Sequence, residues 1–373
     1  MIKRRDFLKQ LFAAGAVLGG GTLTGACSGI TRADLPEDNT SEQSPPMLDP
    51  TGRHILYYAS LAPSGHNSQP WRVRIEAATT WIVEANGDRR LPCVDPDNRE
   101  LLLSIGAFAE NLFLAAGALG RHADIEVIAN SSHDRDILRV VLRSGQANGD
   151  PLNLLATRRT VKHGHLPKEI SANDVAALSH QAGGGLFYFP RTSSHAACIR
   201  DAAVESFRIQ AARDDAQREL VHWLRLKNRD AMHHRDGLTP EGMEIRGMAN
   251  WFVRHFVSPD DFMKTDFRRK GVDVTAQLAR EGGGWMVMTS SGDNVADLIG
   301  TGRRFQRMAL AARARNIGIH PMTQVLEEKT GRSAIAGNHN RHFFPQFVLR
   351  VGYLDHYPKP VSLRRPVEWF VTS

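Results

Sequence analysis

A chain of 373 residues with 42% hydrophobic and 23% charged content has room for one large domain or two ordinary ones. Its 47 basic and 40 acidic residues are spread along the chain and leave a net charge of only +7, which favours small anionic ligands over nucleic acid. No basic run interleaved with aromatics is present, and nothing after residue 30 has the continuous apolar length expected of a bilayer span.

The chain opens on Lys3-Arg4-Arg5-Asp6-Phe7-Leu8-Lys9 and runs over residues 11–26 through a weakly apolar stretch rich in Gly and Ala. Paired arginines ahead of such a stretch are the pattern of a twin-arginine export signal, and Gly19-Gly20-Gly21 would break an ordinary helix there. That route carries proteins already folded. Cleavage after Ala26, with Thr24 and Ala26 at the recognition positions, would leave Cys27 at the new terminus. Alternatively Cys27 carries a lipid anchor, although Leu23 lies one residue too far upstream for a good lipoprotein box. Residues 27–50, rich in Asp, Glu, Ser and Pro, read as a linker, and the expected destination is the periplasm or cell envelope. Cys93 and Cys198 are the remaining cysteines, and spacing leaves open whether they pair.

The first half, residues 51–150, begins with Ala62-Pro63-Ser64-Gly65-His66-Asn67-Ser68-Gln69-Pro70-Trp71. Ser64, Asn67 and Gln69 offer groups that donate and accept hydrogen bonds, and Pro63 and Pro70 fix the backbone at either end, as suits a loop holding a flat heteroaromatic ring. This run resembles the Pro-Ser-x-x-Asn-x-Gln-Pro-Trp segment with which the nitroreductase family of flavin mononucleotide (FMN) oxidoreductases contacts its cofactor, and the resemblance implies an FMN role for Ser64, Gly65, Asn67 and Gln69. Trp71, Val73 and Ile75 then alternate as in a half-buried strand, and Trp81-Ile82-Val83 is placed to pair with it. Apolar residues at Leu102, Ile105, Phe108, Ala109, Leu112, Phe113, Ala116 and Leu119 predict a helix with one wide buried face. Its sequence is similar to the long central helix of that family. Strands are expected at 125–128 and 137–142.

In the second half, residues 151–373, Ala156-Thr157-Arg158-Arg159-Thr160-Val161-Lys162 resembles the family's phosphate-holding signature of basic residues and a hydroxyl. Carried over by position, Arg158, Thr160 and Lys162 are the phosphate candidates, with Arg159 beside them. A charged helical segment over about 199–281 has the length of a lid. Gly282-Gly283-Gly284 lacks any phosphate-loop frame and reads as a flexible turn. A strand at 285–288 and a helix over 295–316 lead to His320-Pro321-Met322-Thr323-Gln324, where the family runs backbone past the flavin N5 edge. The resemblance puts Pro321, Met322, Thr323 and Gln324 at the cofactor, Thr323 first and Gln324 second; otherwise Pro321 and Met322 cap the helix and fill the core. Leu363-Arg364-Arg365-Pro366 resembles the family's closing segment, which adds Arg364 and Arg365 to the phosphate candidates.

Strand, helix and loop recur in both halves, so the expected architecture is an α+β nitroreductase-like fold. Two related halves would form an internal pseudo-dimer with FMN at the seam, where the family ordinarily joins two subunits. The implied activity is two-electron reduction of a nitroaromatic, quinone or similar acceptor through FMN, with NAD(P)H as a candidate reductant. The alternative is a non-catalytic FMN-binding or sequestering protein with a covered site, because the acidic residue followed by glycine that many members carry near Thr323 is missing here. Expected partners are a small-molecule acceptor and the twin-arginine machinery, with no nucleic acid. His163-x-His165 and His233-His234 lack any established ligand frame, so neither a metal site nor an acid–base residue is assigned.

Overall fold

Strand patterning builds the first unit. The computed structural model describes residues 29–35, 47–338 and 344–373; the leader, Cys27 and most of the linker lie outside them. Helix α1 (Pro50–Ser60) starts at Asp49, whose carboxylate accepts from Gly52 N, and runs into the polar loop. Strand β1 (Trp71–Ala77) buries Trp71, Val73 and Ile75, then turns through Ala78-Thr79 into β2 (Thr80–Ala85), with Val73 opposite Val83. Helix α2 (Arg99–Ala118), β3 (Arg121–Val127) and β4 (Asp136–Ser144) follow, and the strands lie in the order β3-β4-β2-β1 with every pairing antiparallel. By length and composition alone α2 could cross a membrane, contrary to the expectation after residue 30. It passes that test because it threads the interior of the protein, with Leu101 through Leu112 all buried.

Two helices, α3 (Leu152–Thr157) and α4 (Ala172–Gln181), lead to β5 (Leu186–Pro190). The chain then leaves the sheet for α5 (Ser194–Ala212), α6 (Asp214–His222), α7 (Asn228–His234), α8 (Gly247–Phe256) and α9 (Thr265–Leu278). It returns as β6 (Gly284–Ser290), followed by α10 (Val295–Ala314), β7 (Ile317–Pro321), α11 (Gln324–Glu327), α12 (Lys329–Asn338) and β8 (Phe344–Tyr353). The second sheet is ordered β5-β6-β8-β7, again antiparallel throughout. Both units therefore follow one plan: two strands, a long helix and two more strands, with the fourth strand inserted between the second and third. A two-residue turn joins the leading strands of the first unit, and the helical insertion joins those of the second. Gly282-Gly283-Gly284 differs from the flexible turn expected of it. A Cβ at Gly283 would stand 2.2 Å from Lys168 O and one at Gly284 2.4 Å from Phe189 O, so these glycines permit close backbone approach.

The two units share one core. The 20-residue helices α2 and α10 cross at Gly106 and Gly302, which occupy corresponding positions in their helices. A Cβ on Gly106 would lie 2.3 Å from Ile299 O, and one on Gly302 2.1 Å from Leu103 O. Further along the crossing, Gln306 Nε2 donates to Asn111 Oδ1 at 2.7 Å and Arg303 Nε to Glu110 Oε2 at 2.8 Å. The closing strand β9 (Val371–Thr372) pairs parallel with β1 at the far edge of the first sheet. It brings Phe370 against Phe108, which packs on Trp71 with ring centres 5.0 Å apart. Cys93 and Cys198 form no disulfide with each other.

Candidate functional site

The loop after α1 holds three non-glycine residues in left-handed backbone: His66 (φ 49°), Asn67 (φ 53°) and Gln69 (φ 53°). Such geometry is costly for these residues and persists where surrounding bonds over-determine it. Ser64 Oγ accepts from Gln69 N at 3.0 Å. Asn67 Nδ2 donates to Gly237 O and Leu363 O, both at 3.2 Å, while its Oδ1 accepts from Arg364 Nη1 at 2.9 Å. Gln69 Nε2 donates to Arg235 O at 3.0 Å, and Arg89 spans Ser68 O and Asp236. The loop is thereby fastened both to the insertion and to the closing segment.

Behind the loop lies a cavity of about 340 Å³, within the range of small-molecule sites. Of the residues singled out from the sequence, Ser64, Gly65, Asn67, Arg158, Arg159, Thr160, Lys162, Pro321, Thr323, Gln324 and Arg364 all line it. Three do not. Gln69 is fully buried and holds Arg365 through its backbone and side-chain oxygens; Arg365 also donates to Trp71 O; and Met322 packs in the core beside Val325 and Val348. The structure thus separates Arg364, in the cavity wall, from its neighbour Arg365, which locks the loop from behind.

One end of the cavity is arginine-rich. Arg158, Arg159 and Arg364 meet Arg32 there, a residue of the segment expected to be linker. Burial, with Arg32 and Arg159 nearby, pushes Arg158 down to about 10, and burial with Arg32 and Arg158 holds Arg364 well below its ordinary value. Among the described residues Arg364 bonds only neutral oxygens (Asn67 Oδ1, Leu363 O, Leu61 O and Ala62 O), and Arg158 only Leu61 O. The Nε atoms of both have no partner there. Arg159 differs, since Glu244 pairs with it at 2.6 Å. A buried and a half-buried cation without a carboxylate call for an anionic ligand.

The middle and far end carry further groups. His66 is pushed down to about 4 by burial and Lys162. His320 Nδ1 faces Arg350 Nη2 at 3.1 Å; an arginine only donates, so Nδ1 accepts and the ring proton sits on Nε2. Leu103, Ala107, Phe305 and Phe347 add apolar wall, with Phe305 and Phe347 stacked at 4.2 Å. The insertion contributes Phe207, Gln210, Leu238 and Gly242. Glu100 and Glu327 stand at the acidic end. The buried Thr323 hydroxyl, which has no hydrogen-bond partner among the described residues, also lines the cavity. His66, His320 and Thr323 fall within runs that the sequence singles out, and only an acid at the start of an apolar helix hinted at Glu100; nothing local marks Leu103, Ala107, Phe305, Phe347 or Glu327, because distant segments bring them together.

This chain is similar to proteins named as nitroreductases. A Mycobacterium tuberculosis protein bearing the name "putative NAD(P)H nitroreductase" is 26% identical over 334 residues, covering 86% of this chain and 91% of the relative. The "probable NAD(P)H nitroreductase PigM" of a Serratia species is 23% identical over 330 residues, covering 80% and 87%. No family model matches the chain. Among solved structures, a nitroreductase-like family protein from Bacillus cereus aligns at 12% identity and a TM-score of 0.35, over 60% of this chain and 95% of its own. The FMN-dependent nitroreductase NfnB of Mycobacterium smegmatis, solved with NADPH, aligns at 13% identity and the same TM-score, over 56% and 92%. The named relatives support an oxidoreductase of the nitroreductase type in general.

Proposed function

We propose that this chain binds one FMN in the 340 Å³ cavity and uses it for two-electron reduction of a nitroaromatic, quinone or similar acceptor. The observation that carries the reading is the pair of buried Arg158 and half-buried Arg364, each with a buried Nε and no carboxylate partner among the described residues, lining one cavity with the 64–67 loop and Thr323. A phosphate monoester satisfies such guanidinium groups well. Arg158, Arg159, Thr160 and Arg364 would hold that phosphate, with Arg32 beside them, while the 64–67 loop, Lys162, Pro321, Thr323 and Gln324 surround the ring. Asn67 acts by fixing the loop, since both ends of its amide are already engaged. FMN held there would supply the redox chemistry, a two-electron carrier between NAD(P)H, or another reductant available outside the cytoplasm, and the acceptor. The protein contributes orientation and a water-poor wall.

The shared strand order of the two sheets and the crossing at Gly106 and Gly302 support an internal duplication, in which one chain builds the seam that two subunits otherwise provide. Export in the folded state belongs to the same reading. Replacing Arg4 and Arg5 with lysines should leave the yellow protein in the cytoplasmic fraction.

A second reading, flavin holding without turnover, draws on the insertion. The loop donates to its Gly237 and Arg235 carbonyls and is tied to its Asp236 through Arg89, while its Phe207 and Leu238 stand in the cavity wall. Anaerobic addition of NADPH, NADH or dithionite, followed by a quinone, separates the two. Bleaching and quinone-dependent recovery of the flavin band support the reductase. Retained FMN that no donor bleaches supports the holder. A purified protein that quenches no FMN fluorescence sinks both.

A further inference from the structure

Two carboxyls share the cavity with the arginines. Glu100, in the first turn of α2, and Glu327, at the end of α11, are both half-buried and both line the cavity. Glu327 Oε2 accepts from Gln210 Nε2, a neutral donor. Glu100 lies against the polar loop, its Oε2 2.7 Å from where a Cβ on Gly65 would stand. Neither carboxyl has a cation bonded to it among the described residues.

We propose that Glu100 and Glu327 act as one proton-donating pair, giving the acceptor the proton it needs as it takes up hydride; this rests on the flavin reading above. A quinone that gains a hydride at one oxygen and a proton at the other becomes a hydroquinone. A nitro group that gains the same hydride and proton loses water and becomes a nitroso group. In either case one carboxylic acid of the pair becomes a carboxylate, and solvent returns the proton.

The surroundings favour protonated carboxyls. On the α2 side stand Asp95 and Arg99, whose Nη1 is committed to Gln346. The loop presents His66, which burial keeps neutral. From α5 and its end come Gln210 and Arg213, the latter paired with Asp215 and Glu328. From α12, Arg332 donates to Leu326 O. Burial, with Asp95 adding repulsion, raises Glu100 to about 7; burial and the charge of Glu100 raise Glu327 to about 8. An acid in that range is matched to proton transfer near neutral pH. The hydroxyl of Thr323, only 4% exposed and without a partner among the described residues, lines the same cavity and marks it as built for a polar ligand.

The test uses the intact protein with E100Q, E327Q and E327D. Infrared titration without FMN should show a carboxylic-acid carbonyl band disappearing between about pH 6 and 9 in the wild type, and losing intensity in each Gln variant. With FMN loaded and reduced by dithionite, stopped-flow mixing with a benzoquinone should give reoxidation that slows as pH rises above about 8. E100Q and E327Q should be slower by about a hundredfold and lose that pH limb, whereas E327D keeps it. FMN affinity, measured separately by fluorescence quenching, should stay within about threefold, below the loss expected from one missing charged bond. Tight FMN binding with wild-type rates and pH profile in both Gln variants overturns the proton assignment and leaves the flavin reading standing. Absence of FMN binding in the wild type overturns the flavin reading, and the proton role with it.

Discussion

Arg364 and Arg365 are adjacent, yet they face different tasks. Arg364 turns its guanidinium to neutral oxygens at the cavity wall, and Arg365 reaches Gln69 O and Trp71 O in the interior. For R364Q, titration calorimetry should show FMN binding about 10- to 150-fold weaker, the value of a charged hydrogen bond of about 1.5–3 kcal/mol. R365A should instead lower unfolding free energy by about 2–4 kcal/mol, because it orphans two buried carbonyls, and should change FMN affinity little. Urea denaturation and the same calorimetry distinguish the two. From the sequence both arginines carried equal weight, since neighbouring side chains in extended backbone point to opposite faces and nothing local says which face meets a cavity. Asn67 teaches the same point: its residue type marked the loop, but its partners Gly237, Leu363 and Arg364 come from far along the chain.

Among the elements, the crossing of α2 and α10 decides how the cavity is shaped. Leu103 and Ala107 of one helix and Phe305 of the other line it, so the separation of the helices sets its width. G106A and G302A should each lower stability by about 2–4 kcal/mol in urea unfolding, because the added methyl meets the partner helix's backbone, which cannot swing aside as a side chain could. The helix-propensity gain of up to about 1 kcal/mol from Gly to Ala only partly offsets this. Both helices were legible from their apolar periodicity, expected over 102–119 and 295–316 and found at Arg99–Ala118 and Val295–Ala314. Their contact was not, because periodicity reports that a face is buried without saying what covers it. Likewise β9 is too short to read from alternation, and only its pairing with β1 defines it.

Across the whole molecule, titratable groups drawn away from solvent set opposing limits on the ligand-free protein. His66 and His165 are held down to about 4 and 3, chiefly by burial, against an ordinary 6.5. They contribute stability that is present above pH 6.5 and is lost as pH falls toward those values, because the unfolded chain takes up protons that the folded one refuses. Glu100 and Glu327 act with the opposite sign. Their folded values of about 7 and 8 lie above the ordinary 4.5, so their contribution is complete below pH 4.5 and disappears as pH rises to about 8. Thermal melts of the ligand-free protein should therefore show wild type losing stability relative to E327Q from about pH 5 to 8, with the difference level at higher pH. A difference that is flat with pH would mean that Glu327 ionises normally in the folded chain. Arg158, held at about 10, stays charged across this window, so its burial cost is not relieved by pH and calls for a bound anion. Inorganic phosphate at millimolar concentration should accordingly raise the melting temperature of the wild type at every pH in the series, and raise it less in R364Q.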